Sequence, residues 1–519
     1  MIRDLMRGRP GPDERFNICI VGAGAAGIVL ALELIRLGKR VVLLEGGGPD
    51  IEPDSQDLYR SEVTTAHEHR GIHTGRFRVH GGTTRKWGGQ ILELDDLDFD
   101  RRDWIPGSGW PISREELKPF YERALVLEGL SGVIRDDAEV WQSISMDPPD
   151  LPRMKPYFSR WCPEPDFSRL HRVQLEGPEI PVWLHANAVG IVERGGKVDA
   201  VRCRTLGGSE VFFHADEFVF CLGAIESVRF FLQPLEGQLP WNTSGLLGKH
   251  FQDHIDCNAA GVDVLDRRSF HQIFDNVYLR GYKYHSKMRL GPLAQQQLGT
   301  LNVAATMYFV STVDDILDRT KSTAKKLLRG RMGEVNARDV LGIVANLPLL
   351  TRQTFRYSTA HRAYNPPSAE VWLRVHCEQE PTSKSSLTLT EERDALGMLR
   401  TRLDWRISDR ERASIREFVV QADNALSGIA SLRPDPDLMN GDPAFADRCD
   451  DSNHHMGGMS LGASPNQGVV DLDLRLHGTK NCYVCSGAVF PTSGFSNPTH
   501  TVLALAIRLA QHLTRGNHA

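Results

Sequence analysis

Two stretches late in the chain carry groups that could move a proton. Asn453-His454-His455-Met456-Gly457-Gly458 sets two imidazoles in a glycine-flanked loop. Gly494-Phe495-Ser496-Asn497-Pro498-Thr499-His500-Thr501 sets an amide side chain where a helix begins. A neutral imidazole, with an ordinary pKa of about 6.5, can take a hydroxyl proton at neutral pH. An amide is no base under those conditions, but it can hold a reacting oxygen by donating or accepting a hydrogen bond.

The other end of the chain offers a nucleotide cradle. Gly22, Gly24 and Gly27, in Val21-Gly22-Ala23-Gly24-Ala25-Ala26-Gly27, follow an apolar strand and open a helix. Gly22 permits the tight turn, Gly24 lets a pyrophosphate reach the backbone, and Gly27 lets the helix lie close on the strand. The helix start supplies amide donors and partial positive charge. Glu45 ends the next strand, where a carboxylate can hold both ribose hydroxyls. No second glycine fingerprint and no redox cysteine pair follows, which weighs against a separate NAD(P)H domain and against a disulfide reductase. A cofactor site near one terminus and a proton-handling site near the other imply a redox enzyme whose chain ends fold together.

The elements that must position these groups read as follows. Phe16 to Val21, a helix from Ala25 to Leu37 with Gly38 behind it, and a strand from Arg40 to Leu44 make a βαβ opening. Residues 49 to 115 are loop-rich, and a helix runs from Arg114 to Leu130. Val201 to Arg204 and Glu210 to Phe213 read as a hairpin around Gly207-Gly208, and Glu217 to Leu222 as a further strand leading to a helix. Long strands such as Ala369 to Glu378 and Ser386 to Thr390 mark the middle of the chain, with a helical insert at 312–356 that carries Lys325-Lys326 and Arg329-Gly330-Arg331. At 519 residues, the chain allows two or three domains at roughly 100–200 residues each. A net charge of −5 with both signs interspersed gives no case for nucleic acid. Nine scattered cysteines fit a reducing compartment, and Cys482 and Cys485 read as strand residues rather than a metal or redox pair. No apolar signal region follows Met1, and no run of about eighteen apolar residues occurs. A cytoplasmic protein with no membrane contact is the expectation.

With these residues in hand, the chain resembles the glucose–methanol–choline (GMC) oxidoreductases along nearly its whole length. The resemblance rests on Gly22 to Gly27 with Glu45, on the loop Gly81-Gly82-Thr83-Thr84-Arg85-Lys86-Trp87-Gly88-Gly89, and on Gly223-Ala224-Ile225-Glu226-Ser227. It rests also on Gly245-Leu246-Leu247-Gly248-Lys249-His250-Phe251 and on the two late motifs. It implies an α/β fold in which a Rossmann-like FAD-binding domain is built from both chain ends, residues 1–255 and 448–519. A substrate domain with a large antiparallel sheet would then span 256–447. It implies FAD held by Gly22, Gly24, Gly27, Glu45, Gly82, Thr83, Trp87, Gly88, Val189, Gly223, Ala224, Asn497, Pro498 and Thr499. The helix that Pro498 opens would point its positive end at the flavin pyrimidine.

The resemblance assigns His454 as the base and Asn497 as its partner in oxidising a small-molecule alcohol. The pattern is most similar to the branch of pyranose oxidases and of sugar and polyol dehydrogenases, so a sugar, glycoside or polyol is the expected substrate. A hydrophobic alcohol such as a sterol, or flavin binding without alcohol oxidation, are the alternatives. Many relatives carry histidine where Asn497 stands. No residue selects among oxygen, a quinone and a redox protein as electron acceptor. His455 competes with His454 for the role of base. His500 reads as a packing residue, Asp253-His254 as a structural turn, and Glu378-Gln379-Glu380 as either pocket lining or a solvated strand end. No metal ligand set is expected.

Some members of the family attach flavin through a histidine just before the tryptophan of the Gly81 loop. Lys86 stands there in this chain, so FAD is expected to be non-covalent. Acid precipitation of the purified protein should release the flavin into the supernatant, and yellow colour kept in the washed pellet would overturn that reading.

Overall fold

Two apolar strands, Arg15–Val21 and Val41–Leu44, are buried almost throughout, as strands covered on both faces must be. They are the centre of an eight-stranded sheet. Its order is Ile2–Asp4, Val182–Leu184, Val41–Leu44, Arg15–Val21, Glu210–Phe220, Lys197–Arg204 and Asn187–Arg194. The late strand Cys482–Val484 adds alongside Phe218–Phe220, in parallel. Glu210–Phe220 is one continuous strand. Its first half pairs antiparallel with Lys197–Arg204 and its second half parallel with Arg15–Val21. The two shorter strands read from the sequence, Glu210 to Phe213 and Glu217 to Leu222, are therefore one element, because His214-Ala215-Asp216 keeps the extended alternation. The helix Ala25–Arg36 packs against the C-terminal helix Pro498–Arg515, which also rests on Arg114–Leu127. A capping box between Ser113 and Glu116 starts the last of these.

The second sheet has nine strands, all antiparallel. Along it lie Ala430–Pro434, Ile255–Val264, Glu370–Cys377, Val303–Val310, Tyr282–Leu290, Met154–Trp161 and Gln90–Ile91, with Val277–Leu279 and Asp450–Asp451 joined at its sides. Glu370–Cys377 shows how the layer works. Val371, Leu373, Val375 and Cys377 are buried on one face, while Trp372, Arg374 and His376 lie on the other and are only partly covered. The helix Asp409–Ala425, opened by a Ser408–Glu411 capping box, packs against strands of this sheet. A third, three-stranded sheet joins Ser386–Arg393 and Leu399–Asp404 to Glu62–Val63.

The computed structural model describes the chain outside residues 12–13, 66, 235–239, most of 311–336, and 516–519. Helices Ala337–Ala345 and Leu347–Ala360 belong to the insert expected at 312–356, while its basic stretches at 325–331 lie outside the described residues. Among the described residues, no helix is long and apolar enough to cross a membrane. Strand pairing crosses the boundary expected at residue 255. Gln90–Ile91 and Met154–Trp161, both earlier in the chain, pair into the antiparallel sheet, as does Asp450–Asp451 from the later segment. Edge positions in an antiparallel sheet can be filled by any extended segment whose apolar side chains match the layer, whatever its place in the chain.

The Glu378-Gln379-Glu380 cluster neither lines a pocket through Glu378 nor ends in solvent. Glu378 and Arg102 form a two-pronged pair at 2.5 and 2.7 Å, with both side chains fully buried. Asn302 donates its backbone N–H to Glu378 and its side-chain amide to Asp98. Burial, then Asp95 and Glu378, push the Asp98 carboxyl up to about 7. Removing the only guanidinium among the described residues that pairs with Glu378 would leave a buried carboxylate without its counter-charge. Arg102→Met should lower unfolding stability by about 3–5 kcal/mol, read by urea denaturation. A loss below about 1 kcal/mol would show that water or a protonated Asp98 takes over its role.

Candidate active site

The loop 451–458 is shaped by backbone conformation before any side chain acts. Asn453 lies in the left-handed region (φ 59°), as do Gly457 and Gly458. A Cβ on Gly457 would stand 2.0 Å from the His250 carbonyl oxygen, so the loop can lie this close to the 250–254 segment only with glycine there. The Asp253 carboxylate then gathers the two segments. Its Oδ1 accepts from the backbone N–H of His254 (2.6 Å), His454 (2.9 Å) and Ser452 (3.2 Å). Its own N–H donates to Gln379, which also accepts from Trp405.

This bracing brings together the two groups singled out in the sequence. Asn497 donates through Nδ2 to His454 Nε2 at 2.9 Å, across a chain separation of 43 residues. On the other side of the ring, His454 Nδ1 lies 2.9 Å from His254 Nδ1, with the imidazoles nearly perpendicular. The partners fix the tautomers. Because Nε2 of His454 accepts, its proton sits on Nδ1 and is given to His254, whose own proton then sits on Nε2. His454 therefore presents a lone pair, not a proton, toward Asn497. Burial drives the His454 pKa well below its ordinary value, and the positive ends of His254, His376 and Lys287 add to the effect. His254 is thus more than the structural turn expected from the sequence.

The glycine cradle opens onto a cavity lined by Gly22, Gly24, Glu45, Gly82, Thr83, Trp87, Gly223, Ala224, Pro498 and Thr499, all expected from the sequence. The residues fit a dinucleotide. Gly24 caps the helix Ala25–Arg36 without any side-chain bond, leaving the first amides free for an anion. A Cβ on Gly82 would stand 2.9 Å from the Gly24 Cα, so both walls of the cradle are bare backbone. Glu45 braces the loop by accepting from Ala23 N (3.0 Å) and Gly47 N (2.9 Å). Trp87 is held by an Nε1–H bond to the Pro165 carbonyl. Arg76, Arg78 and His455 also line the cavity and were not expected there.

Four expected contacts lie outside the lining. Gly27 serves packing, since its Cβ would stand 1.9 Å from the Gly22 carbonyl oxygen. Gly88 is exposed and backs onto Trp161. Asn497 turns to His454 instead. Val189 is the extra residue of a β-bulge, between Ala188 paired with Cys203 and Gly190 paired with Arg202. Ala188 rather than Val189 reaches the smaller cavity beside Gly22 and Leu222. His500 pairs with Glu128 at 2.8 Å and stacks on Tyr121, away from the cavity. Lys86 is exposed.

His69, Asp253, Asp451 and His455 cluster closely enough to suggest a metal centre, with ligand atoms within 4.8 Å of one another. The protons argue otherwise. His69 Nδ1 accepts from the Ile72 N–H, so Nε2 carries the proton and faces Asp253 Oδ2 at 3.2 Å. No lone pair remains on that nitrogen for a cation. Both Asp451 oxygens already accept from the amides of Arg70 and Gly71.

Sequence reasoning missed the polar sheet face opposite this loop. His376 lies 3.4 Å from the Ser452 hydroxyl, and Asp256, Lys287, Arg374 and His285 share its face. The signal was present as alternation within Glu370–Cys377, but it needed the cross-strand register to show that the face meets His454.

A family model described as GMC oxidoreductase matches residues 381–506, a stretch that contains both His454 and Asn497. A 2-methyl-1,2-propanediol dehydrogenase of Mycolicibacterium austroafricanum is 21% identical over 97% of this chain and 96% of its own. A 6'''-hydroxyparomomycin C oxidase of Streptomyces lividus is 23% identical, covering 97% of this chain and 93% of its own. Among solved structures, a pyridoxine 4-oxidase from Mesorbium loti superposes with a TM-score of 0.56 at 16% identity, over 97% of this chain and all of its own.

The partly buried imidazole, its pKa lowered, gives a test that needs no turnover. With histidines labelled in the ring, the His454 resonance should stay at its neutral shift well below pH 6.5, because the folded pKa is depressed. A midpoint near 6.5 would mean that the ring is solvated.

Proposed function

We propose that the chain is a GMC oxidoreductase, an FAD-dependent enzyme acting on alcohols, and that it oxidises a sugar, glycoside or polyol with His454 as base. The observation that carries this reading is the 2.9 Å contact between His454 Nε2 and Asn497 Nδ2. A hydroxyl that displaces this hydrogen bond would give its proton to the freed His454 lone pair while its oxygen accepts from the Asn497 amide. His254 takes the hydrogen bond from Nδ1 and so keeps that lone pair on the substrate side. FAD, when bound, supplies the hydride acceptor. Gly22, Gly24, Glu45, Gly82, Thr83, Trp87, Gly223 and Ala224 would hold it, with the start of the Pro498 helix supplying positive potential. The exposed lysine at position 86 supports a non-covalent attachment.

The polar sheet face favours a hydroxylated substrate over a sterol-like one, since a hydrophobic alcohol would strip water from Asp256, Lys287 and Arg374 without replacing it. The relatives named for a propanediol and for hydroxyparomomycin C support the same class. We assign the nucleotide-binding domain to 1–255 and 448–519, less the strands that pair into the antiparallel sheet, and the substrate domain to 256–447. The nine free, buried cysteines support a cytoplasmic location. Oxygen, a quinone and a redox protein remain the candidate acceptors.

Under anaerobic conditions, a panel of sugars, glycosides and polyols should bleach the bound flavin. His454→Ala should keep FAD and slow that bleaching by on the order of 10²–10⁴-fold. If His455→Ala is crippled while His454→Ala reduces normally, the base is the neighbouring imidazole. Bleaching by no alcohol would leave a flavin-binding protein without this activity.

A further inference from the structure

The floor facing His454 holds a buried ammonium with no hydrogen-bonded counterion among the described residues. Strand register puts Asp256, Lys287, Arg374, His376 and His285 on one face of the antiparallel sheet. Two of the cations differ sharply in their surroundings. Arg374 has a dedicated counterion, donating through Nε to Asp256 Oδ1 at 2.8 Å and through Nη2 to Oδ2. Lys287 is more than nine-tenths buried, and no hydrogen bond or ion pair reaches its ammonium from the described residues. The imidazoles add no charge, because burial lowers His376 to about 4 and His285 well below its ordinary value. Arg289, on the same face, is paired with Asp95, and Asp450, opposite Asp256, with Arg70, so the Lys287 ammonium is left without a hydrogen-bonded counterion among the described residues.

A buried ammonium without a partner is costly to keep. Burial, opposed by Asp256, brings the Lys287 pKa down only to about 8, so at neutral pH the charge is largely present. Its position is tied to the reacting pair from both sides. Tyr157, directly across from Lys287, packs on Phe495, two residues before Asn497. His376 bonds Ser452, two residues before His454.

We propose that Lys287 is a specificity residue that pairs with a carboxylate on the substrate, so that the enzyme prefers polyhydroxylated acids of the aldonic or uronic type to the matching neutral sugars. This rests on the reading of the site as a polyol oxidoreductase. The counter-charge missing from the floor arrives with the ligand, and the carbinol carbon then lies within the same molecule at His454. A single ammonium is matched by a single negative charge, which favours a carboxylate over a phosphate dianion.

Binding can be separated from chemistry with ligands that hold no hydroxyl. The FAD-loaded protein should bind tetrahydropyran-2-carboxylate more tightly than tetrahydropyran-2-carboxamide, by on the order of ten- to a hundredfold in calorimetry. In Lys287→Met that ratio should fall to about one, and Lys287→Arg should retain most of it. The ratio of kcat/KM for glucuronate over glucose should follow the same order across the three proteins. Equal binding of acid and amide by the parent would overturn the proposal, as would a ratio that survives in Lys287→Met. A flavin reduction rate that falls equally for acid and neutral sugar in Lys287→Met, at an unchanged ratio, would place the ammonium on the reacting oxygen instead. Tighter use of glucose 6-phosphate than of glucuronate would overturn the carboxylate assignment. Carboxylate-selective binding with no bleaching by any alcohol would sink the polyol reading and leave the anion site standing.

Discussion

One buried carboxylate holds the two late motifs in working relation. Asp253 takes three backbone amides on a single oxygen, two of them from the 452–454 loop and one from its own neighbour. The other oxygen faces the His69 ring. One oxygen of the carboxylate is thus held by backbone dipoles that cannot move away. The loop therefore has one position relative to the strand Ile255–Val264, and the His454 ring has one nitrogen to lean on, that of His254. Asn497, arriving from the opposite side on the first turn of a helix, completes an arrangement that neither motif could make alone.

The nucleotide half was legible because its signals are local. Gly22, with φ 108°, and Gly27, packed on the Gly22 carbonyl, have to be glycine for reasons visible within a few residues, and Glu45 follows at the end of the next strand. Two residues named by analogy stand outside the cavity lining, on equally local grounds. A bulge takes Val189 out of the paired alternation, and Gly88 spends its missing side chain on Trp161 rather than on the cavity. Fold class could be read from the long strands, but not which distant segments would fill the sheet. Gln90–Ile91 and Met154–Trp161 carry nothing in their own sequence that points to Tyr282–Leu290 as a partner.

The substrate half was hidden for a related reason. Lys287, Asp256 and His376 each sit in strands that read as ordinary alternating segments. Only the pairing of His376 with Asp256, and of Lys287 with Tyr157, puts them on one face. His254 was seen, but its role depends on a contact across 200 residues of chain. The same long reach explains Glu378, which looked like a polar strand end and is instead sealed against Arg102. Polar residues inside a sheet acquire meaning from what the other strands bring, so spacing along the chain says little about them.

The pairing of Cys482–Val484 with Phe218–Phe220, and of the C-terminal helix with Ala25–Arg36, also sets a schedule for the newborn chain. The glycine turn leaves the ribosome early, yet the helix that covers it comes last. At roughly 5–20 residues per second, the opening βαβ unit waits on the order of half a minute or more for its covering elements. During that interval its apolar strands have no permanent neighbours on one side. The protein thus depends on synthesis finishing before collapse goes astray, and a slowed or truncated message should yield aggregated chains rather than a free-standing nucleotide domain.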